Sequence, residues 1–171
     1  MKVWTIGHGT RPADALVEML VRAGVQIVVD VRRLPRSRWN PQYNLSAIEE
    51  TLHAAGLRYR HVQALGGLLS GEPGEERFSC IKTAAFRSYA ARMGSAEWQQ
   101  ELASVLEEPD PCLMCAETAW ERCHRRLISD LLVARGHEIL HLGPGAMETH
   151  RLSGAAEARN GRLYLCGEPV A

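Results

Sequence analysis

The chain has 171 residues, of which 46% are hydrophobic and 23% charged, a composition typical of a globular domain and not of a disordered or fibrous chain. Its 20 basic and 20 acidic residues cancel, so no overall field attracts nucleic acid or an anionic membrane, and any anion must bind to a local group of charges. No apolar stretch approaches the roughly 20 residues that are needed to span a bilayer.

Met1 leads directly into a strand-like segment, without the apolar region of a secretory signal. We therefore expect a cytoplasmic protein that does not contact a membrane. The five cysteines are an odd number at positions that do not suggest a disulfide framework. In a cytoplasm, all five are expected to be reduced thiols.

Strand and helix patterns alternate along the chain. The first predicted elements are a strand at 2–6, a helix between Pro12 and Gly24, a strand at 26–31, an irregular loop at 32–44, a helix from Asn44 or Ser46 to Ala55 and a strand at 57–62. A long connection then opens with Leu65-Gly66-Gly67-Leu68 and runs to Cys80, and it is followed by helices at 83–93 and 96–107, a strand at 112–116 and a helix at 121–134. The last predicted elements are a strand at 138–142 that is broken by Gly143-Pro144-Gly145, a short helix near 147–152 and a weak strand at 162–166.

This alternation predicts an α/β fold, because strands that are separated by helices pair in parallel through right-handed crossovers. We expect a three-layer, mostly parallel open sheet of about five strands with helices on both faces. No repeat, low-complexity segment or linker divides the chain, so a single domain over residues 1–171 is expected.

Ionisable residues stand where four of the predicted strands end. In open parallel sheets, ligands bind beyond the carboxyl ends of the strands. The residues that we expect to line one cavity there are His8, Arg32, His61, Cys115, Glu117 and His124.

Asp30 and Arg32 occupy alternate positions at a strand end and therefore share a face. The arginine either reaches outward to a phosphate or carboxylate, or the two residues form an ion pair that closes the sheet edge. The basic run that includes Arg36, together with Trp39, either binds nucleic acid or is a solvated surface. Gly66-Gly67 either admits a ligand close to the backbone or forms a tight turn.

Residues 115–125 hold the densest group of candidate residues. If Cys115 ends a strand and His124 begins a helix, their side chains converge at one turn, where a helix amino terminus and Arg125 would lower the pKa of a thiol and attract an anion. We expect Cys115 to be the most reactive thiol. Six residues separate Cys115 from Arg122, whereas a thiolate phosphatase loop needs five between its cysteine and arginine, so that class is disfavoured.

Zinc is a further possibility, since Cys112, Cys115, Cys123 and His124 are acceptable ligand types. Strand alternation argues against this set, because Cys112 and Cys115 point to opposite faces. We therefore expect Cys112 to be a buried, inert residue and assign no metal. Pro111-Cys112-x-x-Cys115 also matches half of a zinc deaminase signature, but no upstream His-x-Glu accompanies it.

The chain resembles the domain of unknown function 488 family. The shared segments are TIGHGT at 5–10, DVR at 30–32 with Pro35 and Ser37, Tyr59 with His61, LGG at 65–67, LMCAE at 113–117 and CHR at 123–125. The resemblance covers residues 2–142 and leaves the tail at 143–171 outside. It implies a prokaryotic protein with this fold and site, but it names no reaction and no cofactor.

Two functions fit these observations. In the first, the protein is an enzyme that acts on a phosphate-bearing ligand, a nucleotide or nucleic acid. Cys115 or Glu117 is then the reacting group, and His8 and His124 exchange protons. The expected ligand-binding residues are Asp30, Arg32, His61, Gly66, Gly67 and Arg125, with the anion between Arg32, Arg125 and the two glycine amides.

In the second function, the protein is a non-catalytic module that binds nucleic acid or a partner, and the Cys/His cluster is structural.

Overall fold

A computed structural model describes residues 1–67, 70–143 and 145–170. In this part of the chain, six strands form the main sheet: β1 (Lys2–Gly7), β2 (Ile27–Asp30), β3 (Arg58–His61), β4 (Pro111–Cys115), β5 (Glu138–Leu142) and β6 (Met147–Thr149). Their order is β3-β2-β4-β1-β5-β6. All pairs are parallel except β5 with β6, so the predicted mostly parallel sheet is confirmed.

Helices cover both faces of the sheet, as expected for a three-layer α/β fold. They are α1 (Ala13–Arg22), α2 (Leu45–Ala54), α3 (Ala84–Met93), α4 (Ala96–Leu106) and α5 (Arg125–Ala134). Alternate residues of β1, β2 and β4 enter different cores: Trp4 packs with Leu16 of α1, whereas Val3 belongs to the core that contains Leu127 of α5. None of the helices in the described ranges is long and apolar enough to cross a membrane.

The order of the strands creates a crevice between β1 and β4. The two strands are neighbours, but the helices that follow them, α1 and α5, pack in different cores on opposite faces of the sheet. The loops that leave the two strands therefore diverge, which is the arrangement that opens a ligand-binding crevice in α/β sheets.

The tail differs from the expectation. The short helix near 147–152 is wrong, because Met147–Thr149 forms β6 and completes the hydrogen bonding of the β5 edge. The weak strand at 162–166 is present within a small antiparallel sheet of β7 (Ala156–Arg159), β8 (Arg162–Leu165) and β9 (Glu168–Pro169). Leu163 and Leu165 of β8 are buried in the core that contains α5.

A disulfide joins Cys80 to Cys166, so the expectation of five reduced thiols is wrong for these two. Their separation of 86 residues gives no spacing signal that a sequence could show. Cys112, Cys115 and Cys123 are free and buried. Leu68, which we expected to open a long connection, and Pro144, which we expected to break the fifth strand, lie outside the described residues.

Candidate functional site

A cavity of about 750 Å³ lies at the carboxyl ends of β1, β2 and β4. Five of the six residues that were expected to share a cavity line it: His8, Arg32, Cys115, Glu117 and His124. The sixth, His61, lines a neighbouring cavity of about 510 Å³ with Gly66. The parallel sheet is what brings the five together, because it delivers three strand ends to one edge.

The floor of the cavity depends on an unusually close approach of β1 to the loop after β4. The amide of His8 donates a hydrogen bond to the carbonyl of Cys115 at 2.9 Å. A Cβ atom on Gly7 would lie 1.9 Å from the carbonyl oxygen of Glu117. Only glycine fits at position 7, and the loop that carries Glu117 is held against the end of β1.

Asp30 and Arg32 form a buried ion pair, the structural alternative that the sequence left open. The Arg32 Nε atom lies 2.8 Å and 3.0 Å from the two carboxylate oxygens of Asp30. The hydroxyl of Tyr59 donates a hydrogen bond to the same carboxylate. The Nη1 atom of Arg32 donates to the carbonyl of Tyr43 at 2.8 Å. Although Arg32 lines the cavity, its guanidinium group is largely engaged with protein atoms.

His8 also belongs to this network. Its Nδ1 donates to the carbonyl of Gly9, so its Nε2 accepts a hydrogen bond from Arg32 at 3.2 Å. The ring stacks on Tyr43 with centroids 4.0 Å apart. Burial lowers the pKa of His8 to about 4, so it is neutral near pH 7. With both nitrogens engaged, His8 supports Arg32 and has no free nitrogen for proton exchange with a ligand.

Arg125 is also engaged with protein atoms. It is 1% exposed and donates to the carbonyls of Glu117 and Thr118, the hydroxyl of Thr5 and the sulfur of Cys123. Its role is to hold the loop after β4 against β1. The structure does not favour the expected anion site between Arg32, Arg125 and the glycine amides, because both guanidinium groups are buried and bonded to protein atoms.

The two glycines at 66 and 67 face protein atoms. A Cβ on Gly66 would lie 2.7 Å from the backbone of Arg33, and a Cβ on Gly67 would lie 2.7 Å from Nδ1 of His124. Close packing of the chain against itself explains this pair. His61 likewise donates from Nε2 to the carbonyl of Arg32 and helps to fix the loop after β2.

The chemically distinctive feature of the cavity wall is a cluster of Cys115, Cys123 and His124. The Nδ1 atom of His124 lies 3.9 Å from the sulfur of Cys115 and 3.7 Å from that of Cys123. Its Nε2 atom lies 3.0 Å from the carbonyl oxygen of Val31. Because a carbonyl only accepts, Nε2 carries the hydrogen, and the lone pair of Nδ1 faces the two sulfurs.

The pKa values of the two thiols in the cluster are shifted in opposite directions. The pKa of Cys123 is lowered mainly by the hydrogen bond from Cys115, with further contributions from His124 and Arg125. The same hydrogen bond, together with burial, raises the pKa of Cys115. We expected a lowered pKa at Cys115, but the hydrogen bond between the two thiols lowers the pKa of its partner Cys123 instead.

Cys112 lies on the opposite face of the sheet, in the core that contains α1. It is fully buried, and burial raises its pKa. The expected separation of Cys112 from Cys115 by strand alternation is confirmed, and the zinc set that included Cys112 is excluded by the same geometry.

Sequence reasoning missed a buried chain of polar side chains that reaches Arg125. It runs from Asp130 to His150 at 3.0 Å, from His150 to His141 at 2.9 Å and from His141 to Thr5 at 2.7 Å, and Thr5 accepts from Arg125. The signal was a histidine inside the apolar strand at 138–142. His150 lies in the tail at 143–171, and no sequence pattern indicated that it would contact a strand of the main sheet.

The fold and site define a class: an α/β protein with a mostly parallel sheet and a cavity lined by several arginines at the carboxyl edge. The family model described as "Domain of unknown function DUF488" matches residues 12–132, and the chain belongs to that family. The match includes every residue of the Cys115, Cys123 and His124 cluster and begins after His8. No curated protein and no solved structure matches the chain.

Proposed function

We propose that the protein is an enzyme that binds a phosphate-bearing ligand, a nucleotide or nucleic acid, in this cavity. The observation that carries the proposal is the cluster of two thiols and one imidazole nitrogen in the wall of a cavity with a basic lining. Such a cluster brings reactive atoms within reach of a bound ligand.

The basic lining comes from residues outside the buried network. Within the described residues, the cavity is lined by Arg33, Arg36 and Arg122 in addition to Arg32, and by a single carboxylate, Glu117. Arg36 and Arg122 are exposed, and their side chains make no hydrogen bond or ion pair with any other described residue. Guanidinium groups bind phosphate with two parallel hydrogen bonds, so these two replace Arg32 and Arg125 as the proposed anion ligands.

The proposed reacting atoms are those of the cluster, with Glu117 beside them. Cys115 is 8% and Cys123 4% exposed, and both line the cavity. Glu117 is exposed on the same wall, where its carboxylate can exchange a proton with a bound ligand. His8 is not among the proposed catalytic residues, because both of its ring nitrogens are hydrogen-bonded to Gly9 and Arg32.

A second candidate function is a non-catalytic nucleic-acid-binding module, and Trp39 favours it. This side chain is 82% exposed, lies between the cavity-lining Ser37 and Asn40, and has the Arg38 guanidinium 5.7 Å from its ring centroid. An exposed aromatic ring beside arginines is a stacking platform for an unpaired base. In this case the Cys/His cluster is structural.

The ligand class is tested by thermal unfolding in inorganic phosphate. At about 100 times its dissociation constant, a ligand adds about 2.7 kcal/mol of stability, which raises the Tm of a chain of this size by roughly 5–10 °C. We expect most of this shift to disappear in Arg36→Ala and Arg122→Ala. Arg22→Ala removes the same charge from an exposed surface pair and should keep it. Equal shifts in all three variants would contradict the proposed anion site.

Turnover separates the enzyme from the binding module. The protein is incubated with nucleotides and short single-stranded nucleic acids while phosphorus NMR follows the ligand. An enzyme changes the spectrum, and Cys115→Ser and His124→Gln abolish the change. Binding that weakens steeply with salt, with an unchanged ligand throughout, supports the module instead.

A further inference from the structure

We infer that Cys115, Cys123 and His124 are three ligands of a tetrahedral metal site for Zn²⁺, with the fourth position open to the cavity. The inference rests on the proposed function for the ligand that would reach the open position. It changes the role of the cluster, because its sulfur and nitrogen atoms would hold the ion instead of reacting with the ligand themselves.

The spacing of the three donor atoms matches a tetrahedral ion. All three lie within 4.8 Å of one another. Zinc bonds of about 2.3 Å to sulfur and 2.0–2.1 Å to nitrogen place tetrahedral sulfur and nitrogen ligands roughly 3.6 Å apart. The distances from Nδ1 of His124 to the two sulfurs are 3.9 Å and 3.7 Å, so the nitrogen lies within a few tenths of an ångström of the separation that a shared ion requires from each sulfur.

The backbone explains how two adjacent residues both become ligands. Cys123 is extended, with φ −111° and ψ 151°, whereas His124 adopts helical angles at the start of α5. This change of conformation turns both side chains to the same side. Adjacent residues in a single regular element would instead point in different directions.

The surroundings of His124 fix it in the orientation that a ligand needs. Metal-binding histidines donate their second ring N–H to a carbonyl or carboxylate, and Nε2 of His124 does so to Val31. The ring packs against Tyr89 with centroids 5.0 Å apart. Gly67 leaves room on the other side, since a Cβ there would lie 2.7 Å from the donor atom Nδ1.

The charge around the cluster suits two bound thiolates. Nε of Arg125 donates to the sulfur of Cys123 at 3.4 Å, and this positive charge favours a thiolate at that position. Two thiolates and one imidazole form a donor set that zinc prefers. Three protein ligands and an open fourth position are typical of catalytic zinc sites, whereas structural sites are closed by a fourth residue.

Metal content tests the inference on the intact protein. The chain is purified without chelators and its metal is measured by mass spectrometry. The metal is then removed from the protein under mildly reducing conditions, and the metal-free protein is titrated with Zn²⁺ in competition with a chromophoric chelator. We expect one equivalent of zinc. Cys115→Ser and Cys123→Ser should weaken binding by more than the roughly 10–100-fold cost of losing an outer-shell partner. Cys112→Ala removes a cysteine outside the cluster and should keep full binding.

Cobalt substitution tests the site in the wild-type protein, so the result does not depend on whether the cysteine variants fold. Co²⁺ in the wild-type protein should give thiolate charge-transfer absorption and the strong visible bands of a four-coordinate ion. No zinc uptake by the folded, reduced wild-type protein, or a disulfide between Cys115 and Cys123 that forms in place of the metal site, would overturn the inference. Phosphate stabilisation that depends on Arg36 and Arg122 is measured separately, so either result can fail without the other.

Discussion

At the scale of single residues, the arginines divide into two kinds. Arg32 and Arg125 are buried and donate to protein acceptors from all three guanidinium nitrogens, whereas Arg36 and Arg122 are exposed at the cavity. A buried guanidinium group needs its partners, because an unpaired charge in the interior is costly. Burial and pairing, more than charge alone, decide which arginine is a structural element and which is proposed to bind a ligand.

The Asp30–Arg32 pair gives a prediction on stability. Asp30→Ala should lower the free energy of unfolding by about 3–5 kcal/mol, since it leaves the Arg32 guanidinium buried and unpaired. Glu18→Ala breaks the exposed Glu18–Arg22 pair and should cost no more than about 1 kcal/mol. Urea unfolding measures both. A loss below about 1 kcal/mol for Asp30→Ala would show that the network is not needed for the fold.

At the scale of elements, the cavity exists because the loops after β1, β2 and β4 meet where α1 and α5 diverge. Hydrogen bonds continue past the ends of the strands: Gly9 donates to the carbonyl of Ala116, and Arg125 ties the following loop to Thr5. Gly7 is the point where these segments come closest.

A side chain at position 7 should therefore separate the two segments. We predict that Gly7→Ala destabilises the protein by roughly 2 kcal/mol or more, in the range of overpacked cores. Gly154→Ala is the matched control, because a Cβ at position 154 meets no atom within 4 Å, and its effect should stay within about 0.5 kcal/mol. Equal stabilities of the two variants would mean that the loop after β4 moves without cost.

The sequence predicted the strands, the helices and the edge at which their polar residues gather, because burial on both faces gives a parallel strand a continuous apolar pattern. It did not reveal what the polar groups contact. Whether Arg32 pairs with Asp30 or points outward depends on Tyr43 and His8, which come from other segments. The strand at 147–149 was also missed, since pairing with the edge of β5 decides its conformation and local propensity does not.

At the scale of the whole molecule, the disulfide is the main long-range constraint. It links the segment before α3 to the end of β8, so that the small antiparallel sheet is tied to the core beneath α5. The connection crosses 86 residues and lies away from the cavity, whose lining includes neither cysteine.

Removal of this link should lower stability and leave the site intact. For a closed loop of this length, loss of the disulfide costs about 4 kcal/mol through the entropy of the unfolded chain. We expect the double variant Cys80→Ser, Cys166→Ser to show this loss in chemical unfolding while its phosphate-dependent Tm shift remains. Unchanged stability, or loss of the phosphate response, would contradict the assignment of the disulfide to the scaffold alone.

The central claim is that a phosphate-bearing ligand binds at the carboxyl edge of β1, β2 and β4. Titration of the isotope-labelled protein with inorganic phosphate, followed by amide chemical shifts, locates the ligand directly. The account predicts that the largest changes fall in the loops 8–10, 32–40 and 116–124. Changes centred on the separate surface cavity beside Trp120 and Thr149, or none at phosphate concentrations far above millimolar, would contradict it.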